Sequence, residues 1–196
     1  NESLNTIGKL VIGVAALLIL GFSTKNLLAI TTEKNDLKNS ELLTQTLEGK
    51  INAFLDSEFQ ETTITIQGFN EGWFITGWGE NSPGGPEKCF FDTCICISEG
   101  PPTAKSCDAN PQEAAKLKVD SISVKRYVFV NRGNYYECFS YNSVPLEKRL
   151  FDLHLTKKEN LLEIAYYVQE SGSKLIEEKP ANFDLKNCFD VSSLPG

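Results

Sequence analysis

The chain has 196 residues, of which 41% are hydrophobic and 23% charged, with a formal net charge of −7. That length fits one globular domain, or a helix plus one domain. Lys and Arg are scattered, with only short pairs such as Lys125-Arg126 and Lys157-Lys158. No basic stripe tracks a phosphate backbone, so nucleic acid is excluded as an expected partner, and the acidity serves surface solubility.

The first element in chain order is Leu10 to Phe22, thirteen consecutive non-polar residues. Fifteen uncharged residues lie between Lys9 and Lys25. As a helix they cover about 22 Å, short of the roughly 20 residues a bilayer core needs. Snorkelling by Lys9 and Lys25, or extension through Leu27, Leu28, Ala29 and Ile30, would close part of the gap. A secretory signal peptide, a retained signal anchor and the helix of a processed filament subunit all fit such a segment. The chain starts at Asn1 and contains no Met, which favours a subunit from which a short leader has been cut just ahead of the apolar run. From Leu37 the pattern becomes amphipathic. Leu43, Leu47, Ile51, Leu55 and Phe59 recur every four residues, and Phe54 widens the same face. The expectation is a nearly continuous helix over about residues 4–60. The alternative is a break at 31–36, where Thr31, Thr32 or Asp36 would cap a second helix.

An apolar run followed by an amphipathic run and then by strand periodicity resembles the type IV pilin-like superfamily. Leu10 to Phe22 match the helix that bundles in a filament core, and Leu37 to Phe59 match the half that packs on the head. Residue 5 is Asn, where bacterial pilins carry Glu, and residue 1 is Asn rather than Phe or Met. An archaeal pilin is therefore the better match. The resemblance implies an α+β fold in which a long N-terminal helix, apolar then amphipathic, packs on a β-rich, mostly antiparallel, disulfide-stabilised head. The units would be 1–60 for the assembly or anchor helix and 61–196 for an extracellular head.

Beyond residue 60 the period falls to two. Ile64 and Ile66 alternate with polar neighbours, and Gly68 interrupts them. Residues 72–78 (GWFITGW) predict an aromatic strand, with Gly77 as a bulge or close contact. Residues 81–88 (NSPGGPEK) predict a turn, and Cys89 to Ile97 a third strand. Pro111, Gln112 and Glu113 predict a short helix through Leu117. Ile122, Val124, Val128 and Val130 mark the clearest strand, over 121–131. Residues 132–134 then make a hairpin turn into Tyr135 to Tyr141. Phe151, Leu153 and Leu155, and then Leu162, Ile164, Tyr166 and Val168, continue the alternation. The short connections imply mostly antiparallel neighbours. The tail from 171 is expected to be irregular, with Cys188 tying it down.

The six cysteines are Cys89, Cys94, Cys96, Cys107, Cys138 and Cys188. Their spacing lacks paired CxxC knuckles, and an even set outside a membrane reads as disulfides rather than a metal centre. Cys89 is expected to pair locally with Cys94, Cys96 or Cys107, and Cys138 with Cys188. His154 is the single histidine and is expected to be a surface residue. No Gly-x-Ser-x-Gly elbow, phosphate loop, Rossmann fingerprint or calcium loop is present. No enzyme activity, cofactor or metal is expected. Trp73, Phe74, Trp78, Tyr135, Tyr136, Tyr166 and Tyr167 place rings on both sheet faces, suiting subunit packing first and a glycan second.

The function expected is a structural subunit of an extracellular type IV pilus-like filament serving surface adhesion. Its partners would be copies of itself, and the membrane before assembly. Glu2, Lys9, Leu10, Val11, Gly13, Val14, Leu17, Leu18, Gly21 and Phe22 would form the assembly surface. The glycines allow close helix approach, and Lys9 would pair with Glu2 between subunits. The alternative is an extracytoplasmic binding or sensor protein held by one membrane helix.

Overall fold

The computed structural model describes residues 34–80, 82–110, 114–147, 149–171, 174–181 and 183–191. The chain divides into two compact units, Asn1–Lys38 and Asn39–Gly196. The ten residues expected to form the assembly surface lie outside the described residues.

Helix α1 covers 34–55. Within the second unit its side chains Leu43, Leu47, Ile51 and Phe54 are buried, at the helical spacing that makes one face apolar. It ends where the chain tightens, with Ser57 N–H donating to Phe54 O at 3.0 Å. Lys157 Nζ donates to the carbonyls of Leu55 (3.2 Å) and Ser57 (2.7 Å), which no further helical turn would satisfy.

Among the described residues eleven strands follow: β1 (Glu61–Gln67), β2 (Trp73–Trp78), β3 (Thr93–Glu99), β4 (Ala115–Leu117), β5 (Ser121–Asn131), β6 (Tyr136–Tyr141), β7 (Val144–Leu146), β8 (Leu150–Lys158), β9 (Leu161–Ser171), β10 (Lys174–Ile176) and β11 (Phe189–Asp190). A short helix, α2 (Ala104–Ala109), lies between β3 and β4. The strands form a seven-stranded sheet in the order β1-β8-β9-β5-β6-β11, with β10 beside β9, and a four-stranded sheet in the order β4-β3-β2-β7.

This corrects the expected fold class. The described molecule is sheet-rich, two sheets held with three disulfides, and not a long N-terminal helix packed on a head. Its described helix stops at residue 55 because the chain turns there to enter β1. Most strand pairs are antiparallel, and the exceptions include the centre of the large sheet. There β5 runs parallel to β9 from Ser121↔Leu161 to Val130↔Glu170, and β11 runs parallel to β6. The short β8–β9 hairpin is antiparallel, so its second strand is delivered to β5 in the parallel sense.

The strands expected around 62–66, 72–78, 121–131, 135–141, 151–156 and 162–168 are present. The helix expected to run through Leu117 is not, because residues 115–117 pair with β3 as β4. The local helix lies earlier, where Thr103 Oγ1 accepts from Ser106 N–H at 3.2 Å and caps α2. The tail contributes β10 and β11, although its sequence carries no alternation.

One face of the large sheet holds the main core: Ile66, Phe151, Leu153, Leu155, Leu162, Ile164, Tyr166 and Val124, all buried. Residues of α1 tie to an edge strand of each sheet. Lys50 Nζ donates to Thr65 O on β1, and Asn52 Nδ2 donates to Lys116 O on β4. On the opposite face Tyr127, Phe129, Cys138 and Ala165 cluster beneath Phe183, Leu185 and Cys188. Phe129 and Phe183 meet edge to face at 5.2 Å.

Two glycines set how closely strands approach. A Cβ on Gly68 would lie 1.9 Å from Glu147 O, and one on Gly77 would lie 2.6 Å from Val124 Cγ2. The second contact is where β2 of the small sheet crosses β5 of the large one, so Gly77 is a close contact.

Candidate functional site: the Trp78 end of the small sheet

The cysteines resolve into Cys89–Cys94, Cys96–Cys107 and Cys138–Cys188. Cys138–Cys188 is the long-range pair expected from sequence, and Cys94 settles the partner of Cys89. Cys94 and Cys96 are two apart on β3 and so point to one face. They avoid competition because one bridges back to the turn before the strand and the other forward to α2. Three paired bridges point to an oxidising, extracellular or secreted environment. Among the described residues no cluster of three His, Cys, Asp or Glu could hold a metal ion, and no helix is long and apolar enough to cross a membrane.

The remaining predicted positions fall in separate places. His154 is half-buried on β8, with Nδ1 at 3.1 Å from Thr63 Oγ1 on β1 and its ring 5.0 Å from that of Tyr167. Trp73 is buried and meets Phe69 edge to face at 5.2 Å. Tyr166 is buried on the main core face, where its hydroxyl accepts from Arg149 Nη2 at 2.9 Å and donates to Glu177 Oε1 at 3.3 Å. Burial, followed by the Glu177 charge, pushes its phenol well above the ordinary range. Tyr167 lies on the other face, stacked on Tyr127 at 5.6 Å. Burial, then Tyr127, Glu163 and Glu61, push its phenol up to about 12. Tyr135 is exposed in the β5–β6 turn.

Trp78, at the end of β2, is the predicted aromatic that lines two concavities. The first is a cleft of about 680 Å³ in which Thr76, Gly77 and Trp78 face the first half of β5, Tyr141 to Ser143 and Asp190. Arg126 lies over the Tyr141 ring at 4.4 Å, and Lys125 pairs with Asp190 at 3.7 Å. The second, of about 220 Å³, is formed by Trp78 with Gly85, Pro86, Cys89, Phe90 and Phe91. The indole Nε1 of Trp78 is buried and meets no acceptor among the described residues. A buried donor left so costs about 1–3 kcal/mol.

The loop beyond Trp78 is built tightly. Glu80 N–H donates to Thr93 Oγ1 (3.0 Å) and to Asp120 O (3.2 Å). Thr93, itself buried, donates to the same Asp120 carbonyl at 2.9 Å. Ser82 to Gly85 make a further turn with Gly84 at φ 72°. Glu87–Cys89 form a 3₁₀ turn, and Asp92 N–H donates to Cys89 O at 2.8 Å. Lys116 on β4 pairs with Asp92 at 2.7 Å. The outcome is a five-residue separation closed by the Cys89–Cys94 bridge, with Phe90 and Phe91 at its tip.

Those two phenylalanines are 68% and 64% exposed, with ring centroids 3.9 Å apart. Phe91 has φ 59°, a left-handed conformation that a bulky residue rarely adopts. Sequence reasoning passed over both, because Phe in a Cys-rich strand reads as core. The flanking signal was there, since a Pro-Gly-Gly-Pro turn ahead of a closely spaced cysteine pair leaves little chain with which to bury them. The chain matches no protein-family model, no curated protein and no solved structure.

Proposed function

We propose that the chain is a structural subunit of an extracellular, type IV pilus-like filament, which assembles with copies of itself through its apolar N-terminal segment. The observation that carries this reading is the uncharged run Leu10 to Phe22 ahead of a β unit whose described cysteines are all bridged. The helical face of Leu43, Leu47, Ile51 and Phe54 is used within the β unit, and we assign assembly to the apolar run Leu10 to Phe22. A run of this length suits packing on copies of itself, where Gly13 and Gly21 allow close approach and no full bilayer has to be spanned.

Electron microscopy of the purified full-length chain tests this. Helical filaments with Leu10 to Phe22 in their core are expected. Monomers that stay dispersed in detergent under all assembly conditions would sink it.

A second reading is an extracytoplasmic binding protein held at a membrane by the same segment. The 680 Å³ cleft, with Trp78, Tyr141, Asn142 and Ser143 in its lining, favours it. Mixed aromatic and polar linings of this size suit small ligands, sugars among them. Binding of neutral oligosaccharides that quenches Trp78 fluorescence, by a chain that forms no filaments, is what this reading expects.

A further inference from the structure

The Phe90–Phe91 tip is an exposed apolar display at the end of a short closed loop. A bridge closes it at its base, the Asp92–Lys116 ion pair braces it, and Phe91 is held at a positive φ that a bulky side chain adopts only under constraint. Backbone strain retained to keep two rings in solvent calls for a surface that receives them.

The same unit carries an apolar groove of about 480 Å³. Leu42, Leu43 and Thr46 of α1 form one wall, and Ile66, Gly68 and Phe69 the other. Leu42 is itself half exposed, while Leu43 and Ile66 floor the groove. Tip and groove lie at opposite ends of β2. The groove's Phe69 packs on Trp73, where the strand begins, and the tip shares its concavity with Trp78, where the strand ends. Five residue steps of a strand cover about 17 Å, and the tip is closed off by its bridge, so it does not reach the groove of its own chain.

We infer that the Phe90–Phe91 tip of one copy seats in the Leu42–Phe69 groove of the next copy, a head-to-tail contact between β units. This rests on the filament reading above and names the surfaces by which its outer units touch. Knob and groove on opposite ends of one chain can form a heterologous contact, which runs as an open series where its rotation does not close into a ring. The area bears on the identity of the partner. Two phenylalanines exposed to this degree offer about 270 Å², far below the roughly 800 Å² per partner that a stable standing interface buries. Such a contact holds only between molecules already kept together by another one, which neighbouring subunits are. A lipid surface suits the tip less well. Its charged neighbours Glu87, Lys88, Asp92 and Lys116 balance in sign, and they supply no basic patch for anionic headgroups.

The test uses the full-length chain with p-benzoylphenylalanine in place of Phe90, assembled from an equal mixture of isotopically light and heavy copies and irradiated. Mixed-isotope cross-links from position 90 to peptides containing Leu42–Thr46 or Ile66–Phe69 are expected. The F90S/F91S variant and the L42E variant should each shorten filaments by about tenfold. The triple variant should be no shorter than either, and the thermal midpoint of the β unit should not move. Filaments whose position-90 cross-links fall elsewhere, or only within one copy, overturn the contact and leave the filament reading standing. Cross-links to phosphatidylcholine–phosphatidylglycerol vesicles in place of protein overturn it in favour of a membrane tip. Failure of the unsubstituted chain to form filaments removes the filament reading, and the contact with it.

Discussion

Residues 89–107, around β3, carry two disulfides within nineteen residues, whereas β8 and β9 carry none and bury Leu153, Leu155, Leu162 and Ile164 instead. The small sheet has strands of three to seven residues. The large one has two strands of eleven. A sheet that narrow buries too little apolar area to stand alone, and covalent closure compensates by restricting the unfolded chain. The wide sheet needs no such staple at its centre. Its single bridge, Cys138–Cys188, fastens the C-terminal segment over the Tyr127–Phe129 face. Freed from having to fold inward, the stapled region can hold Phe90 and Phe91 in solvent.

The comparison breaks first at Leu155. This side chain is 1% exposed in the wide sheet, and Leu155→Ala should cost about 4 kcal/mol in urea denaturation. Amide exchange should accelerate across β8, β9 and β5 together. Removing Cys96–Cys107 as C96A/C107A should cost less, about 3 kcal/mol for a closed loop of this size. In that variant faster exchange should be confined to β3, β4 and α2. Equal loosening of β8 and β9 would show that the two sheets open as one, and the contrast would fall.

A third expectation concerns alkaline pH. The phenols of Tyr127, Tyr166 and Tyr167 are all raised by burial. The native state therefore favours their neutral forms, and this stability is complete below the unfolded value near 10.0. It is lost as pH climbs through 10 toward about 12, where Tyr167 ionises in the folded chain. The urea midpoint should fall between pH 10 and 12, and Tyr167→Phe should flatten that fall. A midpoint equally steep in the variant would remove Tyr167 from the account.

The smallest effect is expected at the tip. Phe91→Gly relieves a positive φ at no cost in core packing, so stability should rise by about 0.5–1 kcal/mol in thermal denaturation. A loss of more than that would mean the ring supports the loop beneath it.

Sequence periodicity exposed the strands that are buried on one side only. β8 alternates Phe151, Leu153 and Leu155 inward against Asp152, His154 and Thr156, and that pattern is readable in a single chain. β3 gave no alternation because its residues Thr93 to Ser98 are buried on both faces. The parallel pairing of β5 with β9 was not legible, since sequence neighbours reveal turns and not which distant strand lies alongside. The extent of the helix was overdrawn, because Leu55 and Phe59 keep the four-residue rhythm across the point where the chain turns. Phe59 is 73% exposed there, so its place in the rhythm reflects no packing. At the candidate site Trp78 and the turn before Cys89 were legible. The outward Phe90 and Phe91 were not, because hydrophobic character alone does not say which side of a short closed loop a ring takes.

The order of strands in the large sheet also governs when the protein can fold. β1 pairs with β8, so Glu61 waits for Thr156, about 95 residues later. β5 waits for β9, roughly 40 residues on. Such high contact order makes closure of the sheet slow, on the scale of milliseconds to seconds. β1 therefore gains its paired strand only after the chain has been made as far as Thr156. The three bridges, which point to an oxidising environment, then lock a sheet whose strands have met late.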